Sequence, residues 1–239
     1  MSSHFDNQAN GEINSQIRDS TGFTLLEILI AVLIFAIVIA TLFSSFKAFM
    51  ISSEGVKEDL LQTEKIATVY KRISLDLESI FVLQEPRYSK PEFDSEPDPY
   101  GLLGNKETIG QKIVSALEFS SLAHAKTGMD KRAGVARIAY YIRENESNGL
   151  DLCRADVLSP FQDAIRSCTD PVLCQNISKF EIIYQDFNKD EYKFWDSESL
   201  EFKYAFPSAI DFKIIFGTGE QQQKFVMSFN IIPLRQLNE

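Results

Sequence analysis

The side chains that could do chemistry in this 239-residue chain are few, and each sits in a telling place. Histidine occurs only at His4 and His124, so any histidine-dependent acid–base mechanism would rest on His124 alone. The three cysteines, Cys153, Cys168 and Cys174, are too few and too irregularly spaced for a zinc knuckle. An odd count leaves one thiol over, and Cys168 and Cys174 in "CTDPVLC" are spaced to close a small surface loop in an oxidising compartment. One acid-rich stretch, "DFNKDEYKFWDSE", places Asp186, Asn188 and Asp190 at the first, third and fifth positions of a calcium loop. Glu191 stands where that loop needs glycine and Ser197 where it needs its bidentate glutamate, so a solvated hairpin tip is the better account. The remaining candidate is a lone carboxylate, Glu27, set in the apolar stretch "TGFTLLEILIAVLIFAIVIATLFSSF" of residues 21–46.

From Phe23 to Phe46 a helix would cover about 36 Å at 1.5 Å per residue, enough for a hydrocarbon core of about 30 Å. A carboxylate at the centre of such a core costs about 2.5–3.5 kcal/mol and less near its edge, so a plain anchor is physically allowed. It leaves Glu27 without a purpose. A positive partner would supply one, and cleavage after Gly22 would create it: the new α-amino group of Phe23 on a neighbouring subunit. Unlike charges in a low-dielectric setting attract strongly and penalise any register that leaves one unpaired.

The hexapeptide Gly22 to Glu27, "GFTLLE", followed by an uninterrupted apolar run, resembles the class III signal of type IV pilins and type II secretion pseudopilins. That resemblance implies cleavage after Gly22 by a membrane prepilin peptidase, methylation of the new Phe23 amine, and a role for Glu27 in guiding subunit addition. The leader of residues 1–22 is longer and more acidic than the family's usual one; Asp6, Glu12 and Asp19 face only Arg18.

The elements that must carry these residues follow from periodicity. After residues 1–22 and the apolar segment 23–46, residues 47–83 continue as an amphipathic helix, with Val56, Leu60, Thr63, Ala67, Tyr70, Ile73, Leu77 and Ile80 as its apolar face and Gly55 as a soft point. Residues 84–106 read as a proline-rich loop holding Pro86, Pro91, Pro97 and Pro99. Residues 107–239 read as strands: Ile138, Tyr140 and Ile142 alternate on one face, as do Ile210, Phe212, Ile214 and Phe216, then Phe225, Met227, Phe229 and Ile231. The last two runs flank "GTGEQQQ", a hairpin connection. The expected fold is α+β, a long N-terminal helix packed on a mostly antiparallel sheet with one wet face. The net charge of −10, with no basic patch, argues against nucleic acid.

A longer pattern narrows the resemblance. "ALEFSSLAHA", "GVARIAYYIRE", "FEIIYQDFNKDEYKFW" and "FPSAIDFKIIFG" fall in the order of the J-type minor pseudopilin of type II secretion systems. This resemblance implies a structural subunit without cofactor or catalytic residues, anchored in the bacterial inner membrane with its C-terminal domain in the periplasm. Its expected partners are prepilin peptidase, the I- and K-type minor pseudopilins of the pseudopilus tip, and exoproteins. A minor pilin of a type IV pilus or competence machine shares the N-terminal logic. A membrane-anchored periplasmic enzyme or binding protein is the alternative of another class; the scarcity of histidine, phosphate loops and nucleophile elbows argues against it.

Overall fold

The computed structural model describes residues 22–83, 90–91, 98–125, 132–146, 149–159, 165–217 and 222–232, with the side chains of 51–59 and 61 left aside. The chain forms two compact units, Met1–Glu58 and Asp59–Glu239. The described part of the first is helical from Leu25 onward. Helix α1, Leu25–Glu78, begins there and runs into the second unit without a break at Gly55.

In the second unit α1 buries Ile66, Val69, Ile73, Leu77 and, just past its end, Ile80. Steps of three and four residues put these on one face, and each such side chain contributes about 1.5–3 kcal/mol when fully buried. The expected stripe is therefore correct from Ile73 onward and out of phase before it. Leu60, Thr63, Ala67 and Tyr70 are exposed, because the β-branched Ile66 and Val69, not their neighbours, continue the phase set by Ile73 and Leu77. The side chain of Val56 lies outside the described residues.

Among the described residues nine strands follow: β1 Leu103–Ile109, β2 Lys112–Ser121, β3 Ala136–Glu144, β4 Leu150–Leu158, β5 Val172–Gln185, β6 Glu191–Tyr192, β7 Trp195–Asp196, β8 Ala209–Phe216 and β9 Gln223–Asn230. They form one antiparallel sheet in the order β7-β1-β2-β3-β4-β5-β8-β9, with β6 paired to β5. β1 starts inside the segment read as proline loop, with Leu103 paired to both Glu118 and Asp196. Of that loop, 84–89 and 92–97 lie outside the described residues. Gly110, at φ 59°, makes the two-residue turn between β1 and β2, a position where a left-handed residue matches the twist of the strands.

The sheet curls on itself. The Ser115 hydroxyl on β2 accepts a hydrogen bond from the Ile182 amide on β5 (3.0 Å), although the two strands are not neighbours in the sheet. A Cβ at Gly104 on β1 would overlap the Tyr184 ring on β5. The enclosed core holds Ile138, Tyr140 and Ile142 of β3, Ile210, Phe212, Ile214 and Phe216 of β8, and Met227, Phe229 and Ile231, as their alternation predicts. Phe225 is partly buried against the same core. β8 and β9 pair as a hairpin in full register from Ala209↔Asn230 to Phe216↔Gln223. Trp195 caps one end, stacked on Phe202 at 4.3 Å with its indole N–H donated to the Ala205 carbonyl (2.9 Å).

One expectation about the sheet fails. Its second face is not uniformly wet: Ala116, Ala139, Tyr141, Cys153 and Ala155 form a smaller buried cluster, against which Ile165 and Val172 pack. Segment 165–171 is held over this face by Arg166, which reaches Glu107 (2.7 Å) and Glu118 (2.9 Å) and lies 4.9 Å from the Tyr141 ring centroid. Small side chains at 116, 139 and 155 make room for the segment, and that spacing of alanines is the signal the strand pattern concealed.

Candidate functional site

Two acids on α1 carry the questions raised by its sequence. Gly22, Phe23 and Thr24 precede the helix in exposed chain. Thr24 caps it: its hydroxyl accepts the Glu27 amide (3.2 Å) and its carbonyl the Ile28 amide (3.3 Å). Threonine at an N-cap satisfies one of the amides that a helix start leaves unpaired. Glu27 is thus the third helical residue after the cap in a T-x-x-E start, where a carboxylate also meets the positive end of the helix dipole. That motif is legible in "TLLE" from helix-end chemistry, though not from apolar periodicity.

Beyond the cap, Leu25–Met50 is the one candidate span among the described residues long and apolar enough to cross a membrane, and none of its most apolar window is buried. Among the described residues the Glu27 carboxylate has no ion-pair or hydrogen-bond partner. Nothing lies within 4 Å of a Cβ placed on Gly22, and its φ is outside the left-handed region. Among the described residues, neither backbone conformation nor packing therefore demands a glycine at position 22.

Asp76, in the second unit, is the opposite case. It is fully buried. Arg154 of β4 grips it with two N–H groups (2.7 and 3.0 Å), Arg72 adds two more (3.2 and 2.5 Å), and the Tyr140 hydroxyl donates a fifth bond (2.5 Å). The remaining Arg154 nitrogen binds Asp156 (2.6 Å), which also accepts from the Ala125 amide (2.8 Å) and pairs with His124 Nδ1 (2.6 Å). Two guanidinium groups thus balance two carboxylates. Burial alone would lower the Arg154 pKa, yet the hydrogen bonds and charges of Asp76, then Asp156, hold it above the ordinary value. Burial raises the Asp156 carboxyl, but His124, the Ala125 amide and Arg154 outweigh it and hold the group below the usual range. Burial, followed by the charge of Asp76, pushes the Tyr140 phenol well up. Asp76 was readable as an acid between Ile73 and Leu77 on the buried stripe; its partners were not, because they come from distant strands.

The other candidates disperse. Asp186, Asn188 and Asp190 make a tight turn in which one Asp186 oxygen accepts the amides of Asn188 (2.8 Å) and Asp190 (2.9 Å), with Lys189 left-handed at φ 69°. That carboxylate is engaged with its own loop, and no group of three or more metal-ligating residues occurs among the described residues. The three cysteines are free thiols, Cys153 and Cys174 buried and Cys168 exposed. Cys168 and Cys174 are not bonded in this structure: Cys174 is buried in the helix-facing core opposite Leu152, while Cys168 lies in the segment over the other face. His124 is tied to Asp156, with its Nε2 buried and unpaired among the described residues.

Residues 17–43 match the prokaryotic N-terminal methylation motif. No curated protein matches the chain. The matched segment contains Gly22, Phe23 and Glu27, and it supports a pilin- or pseudopilin-like protein whose role is structural, with one apolar helix consistent with a single-pass membrane anchor.

Proposed function

We propose that the chain is the J-type minor pseudopilin of a type II secretion system. In this reading prepilin peptidase cuts after Gly22, Phe23 becomes the N-methylated first residue, and Leu25–Met50 holds the subunit in the inner membrane until it joins the pseudopilus. Glu27 then pairs with the new amine of a neighbouring subunit, and the domain assembles with I- and K-type pseudopilins at the tip, facing the periplasm and its exoproteins. The observation that carries this reading is the Glu27 carboxylate, unpaired among the described residues at a capped helix start, four residues beyond an exposed Gly22–Phe23 bond whose glycine has no conformational or packing role among those residues. A chain that binds its buried Asp76 five times and leaves Glu27 unpaired among the described residues is suited to a cation from outside.

Co-expression with an active prepilin peptidase tests the first step: the purified chain is expected to begin at N-methyl Phe23, and an intact Met1 overturns it. Co-purification with the I- and K-type pseudopilins tests the second. A stoichiometric ternary complex is expected; binding instead to the minor pilins of a type IV pilus would keep the Glu27 mechanism and assign the subunit to that machine.

A further inference from the structure

The covered second face of the sheet carries one of the three thiols, Cys153, and the segment over it carries another, the exposed Cys168. Cys153 on β4 faces it beside its cross-strand partner Tyr141. The Tyr141 hydroxyl donates to the Ser167 carbonyl (3.0 Å) and to Asp170 (2.9 Å), and the Arg143 guanidinium binds the carbonyls of Ser167 (3.2 Å) and Cys168 (2.7 Å). Val172 registers with Cys153 itself. The turn Ser167–Asp170, closed by the Asp170 amide on the Ser167 carbonyl (3.2 Å), is therefore docked on the same side as the Cys153 thiol. Cys174, one strand over, is buried among Leu152, Ile177 and the helix-facing core on the opposite side.

We propose that Cys153 and Cys168 are the thiols that pair when the chain meets a disulfide oxidant, stapling segment 165–171 to the sheet. The exposed Cys168 thiolate attacks the oxidant's disulfide and forms a mixed disulfide, releasing one thiol. Cys153 then gives up its proton and displaces the second thiol, so two electrons pass to the oxidant and one S–S bond remains in the protein. The second step is the slow one, since Cys153 is buried and burial raises its pKa to about 11.

The test takes the full chain in detergent, treats it with oxidised glutathione, blocks the remaining thiols and maps tryptic peptides. Peptide 144–154 is expected linked to peptide 167–179, lighter by two hydrogens than the sum of the reduced pair, with Cys174 blocked. Cleavage at Asp170–Pro171 assigns the linked thiol within the second peptide. The link should persist in Cys174→Ala and vanish in Cys153→Ala. A Cys168–Cys174 bond, a glutathione adduct that stops at Cys168, or no reaction overturns the proposal. Because the chain reacts outside any secretion machine, these outcomes leave the proposed function untouched.

Discussion

One helix carries two solitary acids in apolar surroundings, and the molecule treats them oppositely. Asp76 is sealed between α1 and the sheet under two guanidinium groups and a phenol; Glu27 stands at a helix start with no cation beside it among the described residues. Where the chain must hide a charge by folding, it brings the countercharge from its own strands. Where it leaves a charge in an exposed apolar segment, the countercharge has to come from elsewhere. The network around Asp76 thus gives the lone Glu27 its meaning: the chain pairs a buried carboxylate with its own arginines, and among the described residues none lies beside Glu27.

The largest expected effect breaks the first member of the pair. Asp76→Ala leaves the buried Arg154 without its principal countercharge and takes the partner from the partly exposed Arg72, and is expected to cost about 3–5 kcal/mol of unfolding free energy, read by urea denaturation of the full chain in detergent. The same measurement on Glu27→Ala should show at most about 1 kcal/mol, the scale of a helix-end charge, while co-purification with partner subunits is lost. Equal destabilisation by both substitutions would erase the contrast. Thr24→Ala removes the cap and should cost about 1 kcal/mol, visible as fraying at Leu25–Ile28 in amide exchange. Acid sharpens the Asp76 side: Asp156 has its folded-state pKa depressed, so its stabilisation is complete above the ordinary carboxylate pKa and is lost as pH falls through the lower folded value. Asp156→Asn should remove that part of the acid dependence. Smallest of all, Tyr184→Phe deletes a buried hydroxyl that has no partner among the described residues, and stability is expected to stay within about 0.5 kcal/mol or to rise.

Local patterns were legible wherever one side of an element decides its burial. The apolar segment, the β8–β9 hairpin and the inward faces of β3 and β8 follow from periodicity alone. The early part of the helix stripe did not, because Leu60 and Tyr70 are as apolar as Ile66 and Val69 and only the sheet chooses between the two phases. The covered face of β2–β4 was hidden for a related reason: alanines read as neutral in a strand pattern, although here they clear space for Ile165 and the Tyr141 ring. At the helix start, Gly22, Phe23 and Glu27 were legible as a motif, whereas the Thr24 cap was present in "TLLE" but needed helix-end chemistry to be seen. The Asp76 network required tertiary contacts, since Tyr140, Arg154 and Asp156 look like ordinary strand residues until α1 lies across them.

The contact between Gly104 and Tyr184 has a consequence for how the sequence can drift. The ring fills the place where a side chain on β1 would stand, so the two positions form a single evolutionary unit although they are far apart in the chain. Any residue larger than glycine at 104 is admissible only after 184 has shrunk, and a smaller residue at 184 opens a void that a methyl group at 104 could refill. Related chains should therefore show either the glycine with an aromatic or the alanine with an aliphatic, and seldom a mixture of the two.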